Sequence, residues 1–170
     1  VGATLTGAGT LPIAEPDRAA DPARGAKVYA EVCAACHGAD GLGKRNGVVG
    51  DAKGYEFPPL WGPDSYNSGA GMHRVLTAAA FVRSNMPIGA THKDATVSHE
   101  DAYDVAAYIN SQKRPEKAGL DKDFPNRLRK PVDAPFPPFV DGLPLEQHKY
   151  GPFNPIRQKV KELTEAAQKK

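Results

Sequence analysis

The chain has 170 residues, a length that suits one domain with extensions. Its 22 lysine and arginine residues nearly balance 20 aspartate and glutamate residues, so no strong field favours nucleic acid or another charged partner. The sequence contains no run of about 18 apolar residues, and we therefore expect no membrane-spanning segment.

The amino-terminal part of the chain predicts an arm followed by a helix. Residues 1–20 are small and polar without a helical period, which indicates an extended arm. Asp21 and Pro22 are typical of a helix start, because aspartate accepts from free backbone N–H groups and proline suits the first helical position. We predict that this helix continues to Cys33 and opens a domain that covers residues 21–112.

The predicted helix leads into Cys33-Ala34-Ala35-Cys36-His37, which contains both cysteines of the chain. This order is typical of covalent haem attachment, in which the thiols add to porphyrin vinyl groups and the histidine is the proximal iron ligand. A zinc half-site would need a second ligand pair, which the sequence lacks, and a redox dithiol would not need the histidine. We therefore predict one covalently bound haem c.

Residues 38–71 are rich in glycine and proline, which predicts a long loop wrapped around the haem. We expect the Pro58 carbonyl to accept a hydrogen bond from His37 and Leu60 to pack on the ring. Trp61 is expected either to donate to a haem propionate or to pack in the pocket. Other candidate propionate donors are Tyr55 and Tyr66.

Met86 is the candidate for the second iron ligand. It follows a helix predicted over Met72–Arg83 and lies in a loop fixed by Pro87. A thioether favours ferrous iron and raises the reduction potential, which suits electron transfer. The other interpretation of Met86 is a core filler. Four histidines are rival ligands whose use would lower the potential, namely His73, His92, His99 and His148.

The rest of the chain predicts a third helix and a carboxy-terminal extension over residues 113–170. The helix begins at Ser98, with Asp101 as its capping partner. From Arg114 to Pro155 the recurrent prolines argue against regular helix, and interleaved aromatics argue against a disordered linker. We expect an extended strap that wraps the domain or binds a partner, then an amphipathic helix from Ile156. Without strand-length alternation, the fold class is predicted as all-α.

The order of these features resembles a class I cytochrome c. In that family the first and last helices cross through a glycine and an aromatic residue, and a methionine is the distal ligand. The resemblance therefore implies that fold, with His37 and Met86 as the iron ligands. The residues that carry it are Gly25, Tyr29, Cys33, Cys36, His37, Pro58, Pro59, Leu60, Met86, Pro87 and Tyr108.

A narrower resemblance covers most of residues 57–155. The segments that carry it, which include residues 58–67, 69–72, 84–87, 130–135 and 148–153, are similar to the electron-transferring haem domain of dihaem thiosulfate dehydrogenases. Those enzymes do their chemistry at another haem, in an N-terminal domain, with a cysteine ligand. This sequence has one C-x-x-C-H and no spare cysteine, so the resemblance implies the electron-transfer half.

The main functional prediction is a monohaem electron carrier, not an enzyme, between a periplasmic dehydrogenase and a terminal acceptor. Its partners would be redox proteins, an electron donor and an electron acceptor, and the carrier would be a monomer or form transient complexes. Because haem is attached to such motifs outside the bacterial cytoplasm, and residues 1–5 lack the charged region of a signal peptide, we expect a mature exported chain.

Two alternatives remain from the sequence. One is a permanent electron-transfer subunit, held to a dehydrogenase through the strap. The other is an enzyme that acts on thiosulfate or a similar sulfur oxyanion. Its anion-binding edge would be drawn from Arg74, Arg83, Lys93 and Arg114.

Overall fold

The structure is a computed structural model that describes residues 9–49 and 51–169. Helices provide most of its regular structure, and none of the described helices is long and apolar enough to cross a membrane. The described part of the predicted arm, residues 9–20, has neither helix nor strand, and residues 1–8 lie outside the described residues. The α-helices are α1 (Pro22–Val28), α2 (Ala34–His37), α3 (Val75–Asn85), α4 (His99–Ser111), α5 (Leu145–Tyr150) and α6 (Asn154–Gln168). A π-helical turn lies at Tyr29–Cys33, and 3-10 turns lie at Gly71–His73, Leu120–Lys122 and Arg127–Arg129.

The first helix begins where the sequence predicts it. The Asp21 carboxylate accepts hydrogen bonds from the backbone N–H groups of Ala23 and Arg24, and Pro22 occupies the first helical position. Between α1 and α2 the chain widens into the π-helical turn, so the predicted continuous helix has a bulge that ends at the first thiol, Cys33. Such bulges are frequent at functional sites.

The all-α prediction needs one correction, because the loop after α2 contains a short antiparallel pair. Strand β1 (Lys44–Arg45) pairs with β2 (Tyr55–Phe57), with an irregular register between them. Strands of two and three residues are too short for a period-2 pattern to appear in the sequence. The pair closes the base of the loop that precedes Pro58.

Helices α1 and α4 meet at a glycine. Gly25 is buried, and a Cβ atom placed on it would overlap the Asp104 carbonyl group of α4. One turn further along α1, the buried Tyr29 ring lies 5.4 Å from the Tyr108 ring of α4. The glycine therefore allows two helix backbones to approach more closely than any side chain would permit.

A buried carboxylate ties three segments together at this crossing. The Asp104 side chain is fully buried, and its oxygens accept from both terminal nitrogens of Arg18 at 2.8 Å. They also accept from the Arg24 guanidinium and from the Asp21 N–H at 2.8 Å. A buried charge is tolerated when its lone pairs are satisfied in this way. The arm, α1 and α4 are thereby held to one another.

Helix α3 packs against α4 through small apolar residues. Ala78, Ala79 and Val82 are buried on α3 and join Val105 and Ala106 of α4 in the core. The predicted start of this helix was three residues early, because Gly71–His73 forms a 3-10 turn. The predicted start of α4 is confirmed, since the Ser98 hydroxyl accepts from the Asp101 N–H at 3.0 Å.

The carboxy-terminal segment lies against the helices. Phe153 and Ile156 are buried in the same core, and the Tyr150 carbonyl accepts from the Tyr103 hydroxyl at 2.8 Å. The expectation of no helix before residue 155 is wrong at α5, where six residues fit between Pro144 and Pro152. Pro144 precedes the helix as its N-cap, and prolines disrupt helices only in their interior.

We predict that Gly25→Ala lowers the free energy of unfolding by about 3 kcal/mol, because the added methyl group must push α1 away from the α4 backbone. Chemical denaturation of the haem-loaded protein measures this loss. Gly71→Ala is the matched control, since the nearest atom to its Cβ is an Arg74 side-chain nitrogen at 3.9 Å. Equal losses in the free energy of unfolding for the two substitutions would contradict the close crossing of α1 and α4 at Gly25.

The Asp104 carboxylate predicts acid sensitivity. Burial raises its pKa, but hydrogen bonds from Arg18, the Asp21 N–H and Arg24 outweigh burial and hold the pKa below its usual value. A pKa lower in the folded than in the unfolded state stabilises the fold above the unfolded pKa of about 4, and this stabilisation is lost as pH falls through the folded pKa. We expect the free energy of unfolding, measured at successive pH values, to depend less on pH in Asp104→Asn than in the wild-type protein. An unchanged pH dependence would rule out this role.

Candidate haem-binding site

The two thiols lie at the end of the first helical segment. Cys33 ends the π-helical turn and Cys36 lies in α2, and both are half-buried and unpaired. Burial raises the pKa of the Cys33 thiol to about 11, with a further contribution from Cys36. A redox dithiol needs the opposite, a thiol with a lowered pKa. The burial of Cys33 therefore does not favour the dithiol interpretation of the motif.

The zinc interpretation also lacks support. Within residues 9–49 and 51–169, no group of three or more histidine, cysteine, aspartate or glutamate side chains is arranged to hold a metal ion. A structural zinc site needs four such ligands. The described residues therefore offer the C-x-x-C-H motif no partner ligands for zinc.

His37 is held in one orientation by the loop that follows the strands. Its ring is buried, and its Nδ1 atom lies 2.8 Å from the Pro58 carbonyl oxygen, so the predicted hydrogen bond is present. Because a carbonyl only accepts, Nδ1 carries the proton and Nε2 keeps its lone pair. This is the arrangement in which a histidine binds a metal through Nε2.

A glycine makes this hydrogen bond possible. Gly43 has a φ of 74°, and a Cβ atom there would overlap the backbone of Phe57 and Pro58. Its N–H donates to the His37 carbonyl at 2.9 Å. The turn after His37 therefore folds directly onto the Pro58 segment, which brings the imidazole and its acceptor together.

Leu60 and Trp61 follow on the same segment and pack into the interior. Leu60 is half-buried against the core, and its N–H donates to the Gly41 carbonyl at 2.8 Å. The Trp61 ring lies 5.0 Å from the Tyr29 ring and 5.7 Å from the Tyr108 ring. Trp61 thus belongs to an aromatic cluster at the helix crossing, and its donation to a propionate stays a prediction. The hydroxyls of Tyr55 and Tyr66 donate to Asp64 and Asn110.

Met86 lies at the carboxy-terminal end of α3. Its N–H donates to the Val82 carbonyl at 2.9 Å, and its side chain is half-buried against the core. Its service as an iron ligand stays a prediction. Together with the two free thiols and the Nε2 lone pair of His37, its thioether makes a donor set that fits haem c.

The hydrogen bonds of the four rival histidines leave only two of them as candidates for the second iron ligand. His148 has acceptors at both ring nitrogens, the Val132 carbonyl and the Asp141 carboxylate. His99 Nδ1 accepts from the Ala14 N–H, which places its proton on Nε2 and leaves no lone pair for iron. The remaining rivals are His73, whose Nδ1 is bound to the Ser68 carbonyl, and His92, whose Nδ1 is buried without a partner.

The cations proposed for an anion-binding edge are partly engaged elsewhere. Arg114 donates to the Ile109 carbonyl at 2.7 Å and stacks 4.3 Å from the Tyr66 ring centre. Arg74 lies 3.5 Å from the Asp133 carboxylate. Sequence reasoning missed both roles, as it missed the hydrogen bond from Tyr29 to the Gly38 carbonyl. Only the Tyr29 contact is local enough for the sequence to have suggested it.

Comparison with known proteins agrees with this site. The family model described as cytochrome c matches residues 22–113. The thiosulfate dehydrogenase of Stutzerimonas stutzeri (strain A1501) is 49% identical over 119 residues, which are 70% of this chain and 36% of that protein. The thiosulfate dehydrogenase of Allochromatium vinosum is 47% identical over 116 residues, or 68% of this chain and 40% of that protein. Both resemblances predicted from the sequence are confirmed.

A solved structure gives the same result. The thiosulfate dehydrogenase TsdBA from Marichromatium purpuratum, in its "as isolated" form, has a TM-score of 0.56 and 46% identity. The match covers 67% of this chain and 22% of that chain. The present chain thus spans well under half the length of these relatives. The prediction that it is not an enzyme is contradicted, because the similar proteins are all named for an enzyme.

We predict that Tyr29→Phe lowers the free energy of unfolding by about 1–2 kcal/mol, because the half-buried Gly38 carbonyl next to His37 loses its donor at 2.7 Å. Thermal or chemical denaturation of the haem-loaded protein measures the loss. Tyr55→Phe is the control, since its hydroxyl donates to Asp64 at an exposed position and its loss should matter less. The reverse order of the two effects would contradict this assignment.

Proposed function

Because the chain belongs to the cytochrome c family, we propose that it is the electron-transfer haem module of a thiosulfate-dehydrogenase-type enzyme. The observation that carries this proposal is the extent of the similarity. The alignment with the Stutzerimonas enzyme has 119 residues, which is more than the cytochrome c match over residues 22–113 contains. The similarity to these enzymes therefore continues outside the haem domain. This favours an enzyme module over a freestanding carrier.

In this proposal Cys33 and Cys36 would hold one haem c covalently, and His37 and Met86 would be the ligands of its iron. When bound, the haem supplies a one-electron ferric–ferrous couple. The chain's own residues keep that couple in a fixed environment. The Pro58 carbonyl orients the imidazole and holds its proton on Nδ1, and Leu60 and Trp61 pack beside the site.

Two ligands from the protein leave no position at iron for a substrate. Chemistry on thiosulfate would therefore take place at another centre of the enzyme, and this module would pass the released electrons onward one at a time. Its partners would be that catalytic part and an external acceptor. Because haem is attached covalently outside the bacterial cytoplasm, we place the module in the periplasm.

The test follows haem reduction by absorption spectroscopy. The ferric protein is mixed with thiosulfate alone, and with thiosulfate plus a catalytic amount of the Stutzerimonas stutzeri enzyme. We expect no reduction in the first mixture and rapid reduction in the second, with the enzyme but no thiosulfate as control. Reduction by thiosulfate alone would show that the chain is itself catalytic. No reduction in either mixture would refute the proposal that the chain is an electron-transfer module of such an enzyme.

We predict that Met86→Ala abolishes the near-infrared methionine-to-iron band of the ferric protein and lowers its midpoint potential. The apparent affinity for added imidazole should rise on the order of a hundredfold, because imidazole no longer competes with a thioether. Met72→Ala is the matched control, as Met72 is the only other methionine and should keep both properties. A band that survives in Met86→Ala would assign the ligand to Met72. A wild-type protein without the band would make His73 and His92 the next candidates.

A further inference from the structure

The helix that ends at Met86 is capped by a residue of the carboxy-terminal extension. The Asp133 carboxylate accepts a hydrogen bond from the Leu76 N–H at 3.0 Å, across 57 residues of chain. Its side chain is 4% exposed. Arg74, the residue before α3, provides no side-chain cap of its own. Asp133 therefore takes the place that a serine or aspartate next to the helix would normally occupy.

The charge of Asp133 matters as well as its hydrogen bond. Arg74 places a cation at the amino-terminal end of α3, where the helix dipole is already positive. The Asp133 carboxylate lies 3.5 Å from the Arg74 guanidinium and offsets both charges. Burial raises the pKa of Asp133, against the opposing effects of Arg74 and the Leu76 N–H.

The extension holds Asp133 in place through its neighbours. His148 donates from Nδ1 to the Val132 carbonyl at 3.0 Å, and its Nε2 lies 3.1 Å from the Asp141 carboxylate. The Ala134 N–H donates to the Pro131 carbonyl at 3.0 Å, which closes a turn around Asp133. The peptide groups on both sides of the capping residue are therefore fixed.

Helix α3 links this cap to Met86. The helix has 11 residues and spans roughly 15 Å, and a helix of that length is marginal without tertiary support. The Met86 N–H donates to the Val82 carbonyl, so the methionine backbone continues the hydrogen-bond ladder of α3. Movement or fraying of the helix would displace the methionine.

We propose that Asp133 is a positioning residue for Met86: it anchors the start of α3 and thereby keeps the thioether on the haem iron. This inference rests on the proposed ligation by Met86. In this way the extension would contribute to electron transfer. If Met86 stays bound in both redox states, the coordination of the iron does not change when an electron arrives or leaves.

The test measures imidazole binding to the ferric holoprotein through loss of the methionine-to-iron band. Removal of a helix cap should raise the methionine-free population of Asp133→Ala about fivefold, and imidazole should bind tighter by the same factor. Asp133→Asn keeps an acceptor for the Leu76 N–H but loses the charge that faces Arg74, so we expect an intermediate shift in affinity of about twofold. Asp123→Ala is the matched control, because Asp123 lies in the same extension but pairs with Lys117.

The outcomes separate this inference from the proposed function. A wild-type protein without the methionine band would refute ligation by Met86 and, with it, the role of Asp133. A wild-type protein with the band, and an Asp133→Ala variant with unchanged imidazole affinity, would overturn only the positioning role. The same holds if Asp123→Ala tightens imidazole binding as much as Asp133→Ala does, because the effect would then be general loosening of the extension.

Discussion

The close crossing of α1 and α4 at Gly25 is the constraint on which the haem site depends. Because no side chain separates the helices there, the Asp104 carboxylate reaches both Arg24 of α1 and Arg18 of the arm. Tyr29, one turn further on, then packs against α4 and donates to the Gly38 carbonyl. The haem-attachment motif follows directly on α1, so the helix crossing fixes where the thiols and the imidazole lie.

The segments outside the haem domain act on the same helix from its two ends. The extension caps the start of α3 through Asp133, and the arm contacts its last turn, where the Leu11 N–H lies 3.3 Å from the Ser84 hydroxyl. A core of small residues, chiefly alanine and valine, lets α3 lie close to α4. Such small side chains interlock little, so they do not by themselves fix the position of α3 on α4. Polar contacts at the two ends of α3 supply that specificity.

The enzyme assignment shows what a single haem domain can and cannot reveal. One C-x-x-C-H and no further cysteine led to the prediction of a carrier that is not an enzyme. The proposed pair of iron ligands, His37 and Met86, would bear only on whether a substrate binds at that haem. It says nothing about the activity of a protein that contains such a domain, and relatives of which the chain covers 36% and 40% are named thiosulfate dehydrogenases.

The sequence by itself predicted the acceptor at Pro58 for His37, 21 residues away, because a metal-binding histidine needs an acceptor at its other ring nitrogen. It also determined the features that depend on neighbouring residues: the haem motif and the helix starts after Asp21 and Ser98. These are local hydrogen-bond patterns and attachment chemistry, which a few adjacent residues encode. Only the tertiary structure decided the β1–β2 pair, helix α5, the engagement of Arg114 and the cap from Asp133. Those features satisfy polar groups across separations as long as 57 residues, and no local pattern records which distant partner will satisfy a free N–H group.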